Sequence, residues 1–346
     1  MYVKTVATIG PSSESPEVME GLFDAGLDIA RFNFSHAYPE EIYARTKCIR
    51  ELNEKKGKNV VILQDLCGRR IRIGTFGEGS REIADGEEVT FYTNGAPEPL
   101  ETEIPINDNY LHNDLKPGDT MLIESGIFRV KITAVDTARQ RITGAFEKGG
   151  KLIQKKGINV PYVKLTSPAI TDKDKQDILL GKELKFEYVA MSFVQSGAEI
   201  DELRSLLLPE QKIIAKVEDP IGVANIDEII QAADGIMVAR GDLGVELPLE
   251  EIPFIQKEMV AKCRYAGKPS IVATQMLLSM VHHPSPTRAE VSDVANAVLD
   301  GTDAVMLSDE TAAGAYPVQA LQTLVTVARR AEQYLYQRKN NFDAKK

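Results

Sequence analysis

Residues 212–256 read KIIAKVEDPIGVANIDEIIQAADGIMVARGDLGVELPLEEIPFIQ and contain one complete strand and helix unit and the start of a second. The apolar runs predict strands over 212–218 and 235–240, and the segments that follow predict amphipathic helices over 222–232 and 249–266. A strand followed by a helix, repeated, is typical of a parallel sheet covered by helices. This stretch therefore predicts an α/β fold.

The same alternation extends over most of the chain. We predict further strands over 4–10, 27–35, 59–65, 186–193, 270–276 and 303–308. The remaining helices are predicted over 16–25, 39–55, 172–182, 198–206, 287–299 and 317–337. Eight units in this order, with no glycine-rich nucleotide fingerprint after the first strand, favour a closed (β/α)₈ TIM barrel over an open doubly wound sheet.

One long segment departs from this alternation. Residues 69–164 contain short alternating runs such as EEVTFYT and FRVKITAV, separated by NG, PGD and SG turns. We predict an inserted, β-barrel-like domain here, within a catalytic barrel formed by residues 1–68 and 165–346. Because the insertion follows the third barrel strand, on the side where barrels carry active sites, it is placed to act as a lid. The polar tail 337–346 is expected to fray.

Composition excludes several classes of protein. Lys and Arg number 41 against 51 Asp and Glu, and the net charge of -10 argues against a nucleic-acid or anionic-membrane partner. The three cysteines, Cys48, Cys67 and Cys263, lack metal-type spacing, which indicates ordinary thiols in a reducing compartment. No apolar signal segment and no apolar stretch of membrane-spanning length occurs. We therefore expect a cytoplasmic location.

The quoted stretch also carries a candidate site. Lys216 and Glu218 lie two residues apart on one strand, so their side chains share a face, and Asp242 ends the next strand at a similar level. Charged groups at the ends of apolar strands cost free energy unless a metal or an anion partners them. Two carboxylates beside an ammonium therefore predict a Mg²⁺ and phosphate site.

Polar side chains also lie at the carboxyl ends of three other predicted strands. They are Arg31, Asn33 and Ser35 on the second strand, Asp65 on the third and Thr274 on the seventh. Polar groups collected at one rim of a barrel mark a catalytic face. The alternative stays open that Lys216 and Glu218 form only a structural pair, and that Thr274 is an ordinary strand residue.

These residues lie in motifs that resemble pyruvate kinases. The matching stretches are TIGPSS, AGLDIARFNFSH, KKGINVP, AKVEDPIGVANIDEII, MVARGDLGVELPLEEI, GKPSIVATQMLLSM and PTRAEVSDVANAVLDGTDAVMLSDETAAGAYP. The resemblance implies a glycolytic transferase that moves the phosphoryl group of phosphoenolpyruvate to ADP, giving ATP and pyruvate. It also implies that residues 69–164 correspond to the mobile lid of that family.

The resemblance assigns roles around the chemistry. Glu218 and Asp242 match the ligands of Mg²⁺ or Mn²⁺, and Lys216 matches the catalytic lysine. Backbone N–H groups at Gly241 and Asp242 would hold the substrate carboxylate. Thr274 matches the threonine implicated in protonating the enolate, and we expect it to act through water because a hydroxyl is a poor acid.

A second set of positions matches groups that face phosphate or nucleotide. Arg31 and Arg72 match phosphate-facing arginines, and Asn33, His36 and Lys156 match positions near nucleotide or phosphate. The resemblance thus implies ADP or ATP as a partner of the lid and the rim.

One motif departs from the family pattern. The family commonly reads Asp-Thr-Lys-Gly-Pro-Glu-Ile-Arg where residues 65–72 are DLCGRRIR. Arg70 replaces the glutamate and Leu66 the threonine, and family members with a positive side chain at the glutamate position generally do without K⁺. We therefore expect K⁺ not to be required, with Arg70 as its substitute. Cys67 and Arg69 replace the lysine and the proline of the family segment, and the sequence gives no explanation for these two replacements.

Further expectations concern regulation and alternatives. The sequence ends before the usual C-terminal domain of the family, so we expect no activation by sugar phosphates. Self-association, nucleotide preference and the choice of metal stay open. Two other functions are kept as alternatives, a Mg²⁺-dependent (β/α)₈ lyase or aldolase acting through a pyruvate enolate, and a catalytically silent regulatory paralogue.

Overall fold

The computed structural model describes residues 2–35 and 38–343, with side chains through 338. The first three strands are β1 Lys4–Thr8, β2 Ile29–Asn33 and β3 Val61–Asp65. The next group is β4 Ser80–Ile83, β5 Glu88–Thr93, β6 Ile104–Ile106, β7 Thr120–Ile123, β8 Phe128–Asp136, β9 Arg141–Phe146, β10 Gly150–Ile153 and β11 Ile158–Asn159. The last strands are β12 Tyr188–Met191, β13 Lys212–Val217, β14 Gly235–Ala239, β15 Ser270–Ala273 and β16 Ala304–Leu307.

Helices follow most of the barrel strands. In chain order they are α1 Pro16–Ala25, α2 Pro39–Lys56, α3 Leu111–Asp114, α4 Asp172–Glu183, α5 Gly197–Leu206, α6 Pro220–Ala224, α7 Ile226–Ala232, α8 Arg240–Glu246, α9 Ile252–Ala266, α10 Arg288–Asp300, α11 Asp309–Ala312 and α12 Pro317–Asp343. The helix predicted over 222–232 is divided at Asn225 into α6 and α7. The helix predicted over 317–337 extends further, because α12 continues to Asp343, and the fraying of the tail remains a prediction.

The strands outside the 69–164 segment form one closed parallel barrel. Its order is β1-β16-β15-β14-β13-β12-β3-β2, and β1 closes it by pairing with both β2 and β16. Each strand thus lies beside its neighbour in sequence, which is the arrangement of a (β/α)₈ barrel. The predicted fold class is confirmed.

The apolar side chains of the barrel strands point alternately into the barrel interior and outward toward the helices. The barrel interior is filled by one cluster that includes Val6, Leu63, Ile214, Met237 and Met306. The residues between them face outward and pack against the helices in two larger clusters. Because successive strand residues point to opposite sides, the parity of a residue decides whether it faces the barrel axis.

Strands β4 to β11 form the inserted domain predicted over 69–164. A six-stranded sheet has the order β11-β7-β8-β9-β5-β6, and β10 pairs with β4 in a separate two-stranded sheet. This domain has its own apolar core, in which Phe146 contacts Phe91 and Phe128 at ring distances of 6.2 and 5.7 Å. We call it the lid, and the residue numbers of its boundaries remain a prediction.

The first crossing from the barrel into the lid requires a glycine. Gly68 has a φ of +67°, and a Cβ atom there would lie 3.1 Å from both Cβ and the carbonyl oxygen of Ser192. Only glycine adopts this conformation readily and leaves room for such an approach. The crossing therefore lies directly against the end of β12.

Within residues 2–35 and 38–343, no helix combines the length and apolar character that a membrane crossing requires.

Candidate active site

The polar residues at the barrel mouth continue the inward-facing rows of its core. Arg31 follows Ile29 by two residues, Asp65 follows Leu63, and Lys216 follows Ile214. Each of these pairs shares a parity, so the charged side chain points toward the barrel axis just above the apolar layers. Strand parity thus places three charged groups at the same end of the barrel interior.

Asp65 pairs with both cations of this layer. Its Oδ2 accepts from Arg31 Nε at 2.6 Å, and its Oδ1 lies 3.1 Å from Lys216 Nζ. Arg31 also donates to Thr8 Oγ1 at 2.8 Å, and Lys216 donates to Ser192 Oγ at 2.7 Å. The carboxylate therefore fixes the orientation of two buried cations.

The charges in this layer stabilise one another. Burial alone would raise the pKa of Asp65, but Lys216 and Arg31 bring it below its usual value. Burial alone would lower the pKa of Lys216, and Asp65 with Glu218 more than offsets this and raises it. Lys216 is therefore a permanent cation near neutral pH, although only 8% of it is exposed.

Glu218 lies one step further along the row of Lys216. Its Oε1 is 3.2 Å from Lys216 Nζ, and its Oε2 accepts from the backbone N–H of Phe193 at 2.8 Å. Burial, together with the negative charges of Asp242 and Asp65, raises the pKa of Glu218 to about 7 despite the opposing effect of Lys216. An additional positive charge at this carboxylate would lower the free energy of its ionised form and so lower its pKa.

The residues present fit a hard divalent cation. In the described part of the chain the carboxylate of Asp242 accepts no hydrogen bond, while its charge contributes to the raised pKa of Glu218. Residues 2–35 and 38–343 contain no cluster of three or more His, Cys, Asp or Glu side chains arranged to hold a metal. Two carboxylates with further positions open to water or substrate suit Mg²⁺ and do not suit a closed structural zinc site.

Thr274 lies in a tight backbone segment after β15. It has a φ of +70° and Gln275 one of +56°, both unusual for residues with a side chain. The Thr274 hydroxyl donates to the carbonyl of Ala273 at 2.6 Å and accepts from the N–H of Gly241 at 2.7 Å. Arg240 supports the segment by donating to the Thr274 carbonyl at 2.6 Å. A ligand that takes the Gly241 amide must therefore displace this hydroxyl.

Five basic residues of the 69–164 segment line a cavity of about 350 Å³ between the lid and the barrel mouth. They are Arg69, Arg70, Arg72, Lys155 and Lys156, and the barrel side contributes Asp242 and Glu246. Lys156 lies 2.5 Å from Glu124, and Arg72 donates to the carbonyl of Lys155 at 3.1 Å. Arg70 is exposed at the cavity edge. The lid thus presents cations to the barrel mouth.

Three of the predicted site residues, Asn33, Ser35 and His36, lie at the end of β2 in the sequence or just after it. The side chain of Asn33 accepts from the N–H of Ser35 at 3.1 Å, so it shapes the turn that leaves the strand. His36 lies outside the described residues. Its predicted contact with nucleotide or phosphate remains a prediction.

Arg69, which the sequence left unexplained, is buried beneath the lid. Its guanidinium pairs with Glu199 at 2.7 Å and donates to the carbonyl oxygens of Phe193 and Ser167 at 3.0 and 3.4 Å. Nothing in the structure explains Cys67, which is partly exposed beside this crossing.

The sequence interpretation missed several residues of the site. Ser192 and Thr8 have the parity of the inner rows of β12 and β1, and this signal could have revealed them. The Phe193 amide and the lid contact from Asn159 to Glu246, at 2.8 Å, join segments far apart in the chain. Such contacts leave no local pattern in a sequence.

Glu246 provides a test of this electrostatic description. Burial raises its pKa to about 8; Asp219, Asp242 and Glu218 add to the rise, and the hydrogen bond from Asn159 only partly opposes it. A folded-state pKa above the unfolded value means that the protonated form stabilises the fold, and this stabilisation disappears as the pH rises through about 8. Metal-free Glu246→Gln and wild type should match at about pH 4, below the ordinary pKa of 4.5, and the variant should be more stable by roughly 1–3 kcal/mol at pH 9.

Urea denaturation at a series of pH values measures this difference. Glu250→Gln serves as the control, because Glu250 is an exposed carboxylate on the segment that follows α8. The free energy of unfolding of Glu250→Gln should change with pH in the same way as that of wild type. A Glu246→Gln difference that does not change with pH would show that the charge of Glu246 is not destabilising.

Comparison with known proteins identifies the family to which these features belong. The model of the pyruvate kinase barrel domain matches residues 2–321. The chain belongs to the pyruvate kinase family. It is 47% identical over 342 residues to a pyruvate kinase of Geobacillus stearothermophilus, covering 97% of this chain and 58% of that protein. It is 42% identical to one of Agrobacterium vitis, covering 97% of this chain and 70% of that protein.

A solved pyruvate kinase has the same fold. The crystal structure of a pyruvate kinase from Cryptosporidium parvum superposes with a TM-score of 0.91 at 37% identity, covering 96% of this chain and 69% of the other. The chain spans less than two thirds of the length of the Geobacillus relative. The family and its barrel are therefore established by similarity.

Proposed function

We propose that this protein transfers the phosphoryl group of phosphoenolpyruvate to ADP. The bond from phosphorus to the enol oxygen breaks, a bond to the terminal oxygen of ADP forms, and the resulting enolate takes up a proton at carbon to give pyruvate. The observation that carries the proposal is the buried layer of Arg31, Asp65, Lys216 and Glu218 at a barrel mouth covered by a cationic lid. Phosphoryl transfer depends chiefly on such positioning and charge neutralisation.

Lys216 and Arg31 would neutralise charge on the moving group. Both are held by Asp65 before substrate arrives, so no reorganisation is needed at the moment of reaction. The raised pKa of Lys216 keeps the ammonium charged in the absence of substrate. We therefore assign Lys216 to the stabilisation of the transferring phosphoryl and of the enolate oxygen.

Glu218 and Asp242 would hold Mg²⁺, or Mn²⁺ in its place. When bound, the metal supplies charge neutralisation at the phosphate and carboxylate oxygens. The Phe193 N–H keeps one oxygen of Glu218 in place, and Asp242 lies in the first turn of α8. Both carboxylates are thus oriented by backbone that the barrel supports.

The segment around Gly241 would receive the substrate carboxylate. Its amide now bonds to Thr274 Oγ1, and we propose that the carboxylate replaces that oxygen at the Gly241 and Asp242 amides. The displaced hydroxyl of Thr274 then orients the water that delivers a proton to the enolate.

The lid would bind the nucleotide. Arg72 and Lys156 supply cations for its phosphates from the lid side of the cavity. Asn33 and His36 are assigned to the barrel side by family resemblance. Movement of the lid would bring these two sets together around the nucleotide and exclude water from the transfer.

A coupled assay of pyruvate formation tests the proposal. We expect pyruvate to appear only when phosphoenolpyruvate, ADP and Mg²⁺ are all present, with one ATP formed for each pyruvate. Pyruvate release that does not require a nucleotide would contradict the kinase assignment and favour the lyase alternative. A complete absence of turnover with intact fold would favour the silent paralogue.

We further propose that activity does not require K⁺. Arg70 carries its positive charge at the edge of the cavity, where the usual family segment has a glutamate. Turnover of wild type should be similar in potassium and tetramethylammonium chloride. Arg70→Glu should lower turnover by about tenfold or more in tetramethylammonium, because a positive charge is lost near the phosphates, and KCl should restore part of it.

The control for this charge reversal is Arg139→Glu in the turn between β8 and β9. The side chain of Arg139 is exposed, and its only partner among the described residues is Asp136, in a long ion pair at 4.0 Å. Its reversal should leave turnover and the response to K⁺ unchanged. A large increase in the turnover of wild type on adding K⁺ would refute the proposal.

A further inference from the structure

Arg69 connects the base of the lid to the barrel. Its side chain is only 3% exposed, and it lies where the chain first passes from β3 toward the lid. Two of its partners, Glu199 and the Phe193 carbonyl, belong to the segment that leads from β12 into α5. The third, the carbonyl of Ser167, lies just after the second crossing. One buried guanidinium thus joins both crossings to the end of β12.

Phe193 has an unusual backbone conformation, and both its N–H and its carbonyl oxygen form hydrogen bonds. Its φ of +53° is in the left-handed region, which is unfavourable for a residue with a large side chain. Its N–H donates to Glu218 Oε2 at 2.8 Å, and its carbonyl accepts from Arg69 at 3.0 Å. The contact that orients Glu218 therefore depends on a strained residue, and Arg69 holds the other end of that residue.

The anchor for Arg69 is itself rigid. Glu199 completes the capping box of α5, and its Oε2 accepts from the backbone N–H groups of Gln195 and Ser196 at 2.7 and 3.3 Å. Its Oε1 is the oxygen that binds Arg69. The guanidinium is therefore fixed to the start of a helix.

We propose that Arg69 is a positioning residue for the divalent metal site. It holds Phe193 in the conformation that presents its N–H to Glu218, and so sets the direction of the carboxylate. The inference rests on the proposed function for the identity of that site. The usual family segment has proline at this place, which has no side-chain donor, so a family member with that segment cannot form this contact.

Direct binding of Mn²⁺ to the full chain without substrates tests the inference, with electron paramagnetic resonance as the readout. Wild type should bind Mn²⁺ at a site that Glu218→Gln removes. Arg69→Met should weaken binding by about tenfold or more, as expected for a residue that orients a ligand, and Arg69→Lys by a smaller factor because one ammonium cannot reproduce the planar donor set. Arg69→Lys keeps the charge opposite Glu199 and provides the readout if Arg69→Met does not fold.

Two further variants separate positioning from general damage. Asparagine adopts the left-handed region more readily than phenylalanine, so Arg69→Met combined with Phe193→Asn should bind Mn²⁺ more tightly than Arg69→Met alone. Arg50→Met removes another arginine that pairs with a glutamate, Glu187 at 2.6 Å, and donates to the Lys185 carbonyl just before β12. It should leave Mn²⁺ binding unchanged. Thermal unfolding establishes that each variant is folded.

The outcomes distinguish this inference from the proposed function. Equal Mn²⁺ affinity in wild type, Arg69→Met and Arg69→Lys would overturn the role of Arg69 while leaving the kinase assignment in place. Failure of Phe193→Asn to improve binding in the Arg69→Met background would overturn the route through Phe193. A wild type that binds no Mn²⁺ and forms no pyruvate would overturn the proposed function and this inference with it.

Discussion

Replacing Lys216 with methionine should abolish pyruvate and ATP formation, with kcat lower by about 10³-fold or more, or about 4 kcal/mol of transition-state stabilisation. Lys216 is the ammonium that contacts Asp65, Glu218 and Ser192 together, and methionine keeps much of its volume without charge or donors. Steady-state kinetics of the coupled reaction measure the loss. We expect far-UV circular dichroism to retain the spectrum of wild type, although the two carboxylates lose a partner and the unfolding temperature falls.

Lys212→Met is the matched control for this substitution. Lys212 begins the same strand four residues earlier, its side chain is 53% exposed, and it lies 3.8 Å from Asp234. An exposed ion pair at this distance contributes little to stability, and Lys212 lies at the opposite end of the strand from the site. The kcat should therefore stay within about twofold of wild type. If Lys216→Met retained more than about a tenth of wild-type kcat, transition-state stabilisation by Lys216 would be too small for the proposed role.

Replacing Glu218 with glutamine should remove both activity and the response to metal. Glutamine can still accept from the Phe193 N–H, so the local backbone is preserved while the charge is lost. We expect kcat to fall by about 10²–10³-fold at any practical Mg²⁺ concentration. Wild type should gain about 1.4 kcal/mol of stability when free Mg²⁺ is about ten times its dissociation constant, and the variant should gain none.

Glu246→Gln controls for the general loss of a carboxylate near the mouth. Glu246 lines the same cavity as Asp242 and binds the lid through Asn159, but it is not assigned to the metal. Its variant should keep the stabilisation by Mg²⁺ in a thermal unfolding series. Equal responses of wild type and Glu218→Gln to Mg²⁺ would show that the metal binds elsewhere.

The barrel could be predicted because its strands carry a strong local signal. Runs such as KIIAKVE and GIMVAR are bounded by turn residues and separated by helical segments of the right length, and all eight predicted barrel strands are present. Smaller features were missed where local signals conflict. The helix predicted over 222–232 is divided at Asn225, and α12 continues past residue 337 to Asp343.

The candidate site was predictable in part for the same reason. The spacing of Lys216 and Glu218 on one strand determines that both side chains lie on one face, and the structure brings Lys216 within reach of Asp65 from β3. The contacts of Arg69 could not be predicted in this way. Its partners are 98 to 130 residues away in the sequence, and an isolated arginine carries no sign of them.

The amino-acid order alone determined the alternation of strands and helices, the inserted β domain and the side chains of each strand that point inward, because these depend on periodicities of two and 3.6 residues. The tertiary structure alone decided which inward-facing groups meet. The pairing order of the barrel places β12 between β3 and β13, and this brings Asp65, Ser192 and Lys216 together. Contacts of that kind depend on the packing of distant segments, which no local pattern encodes.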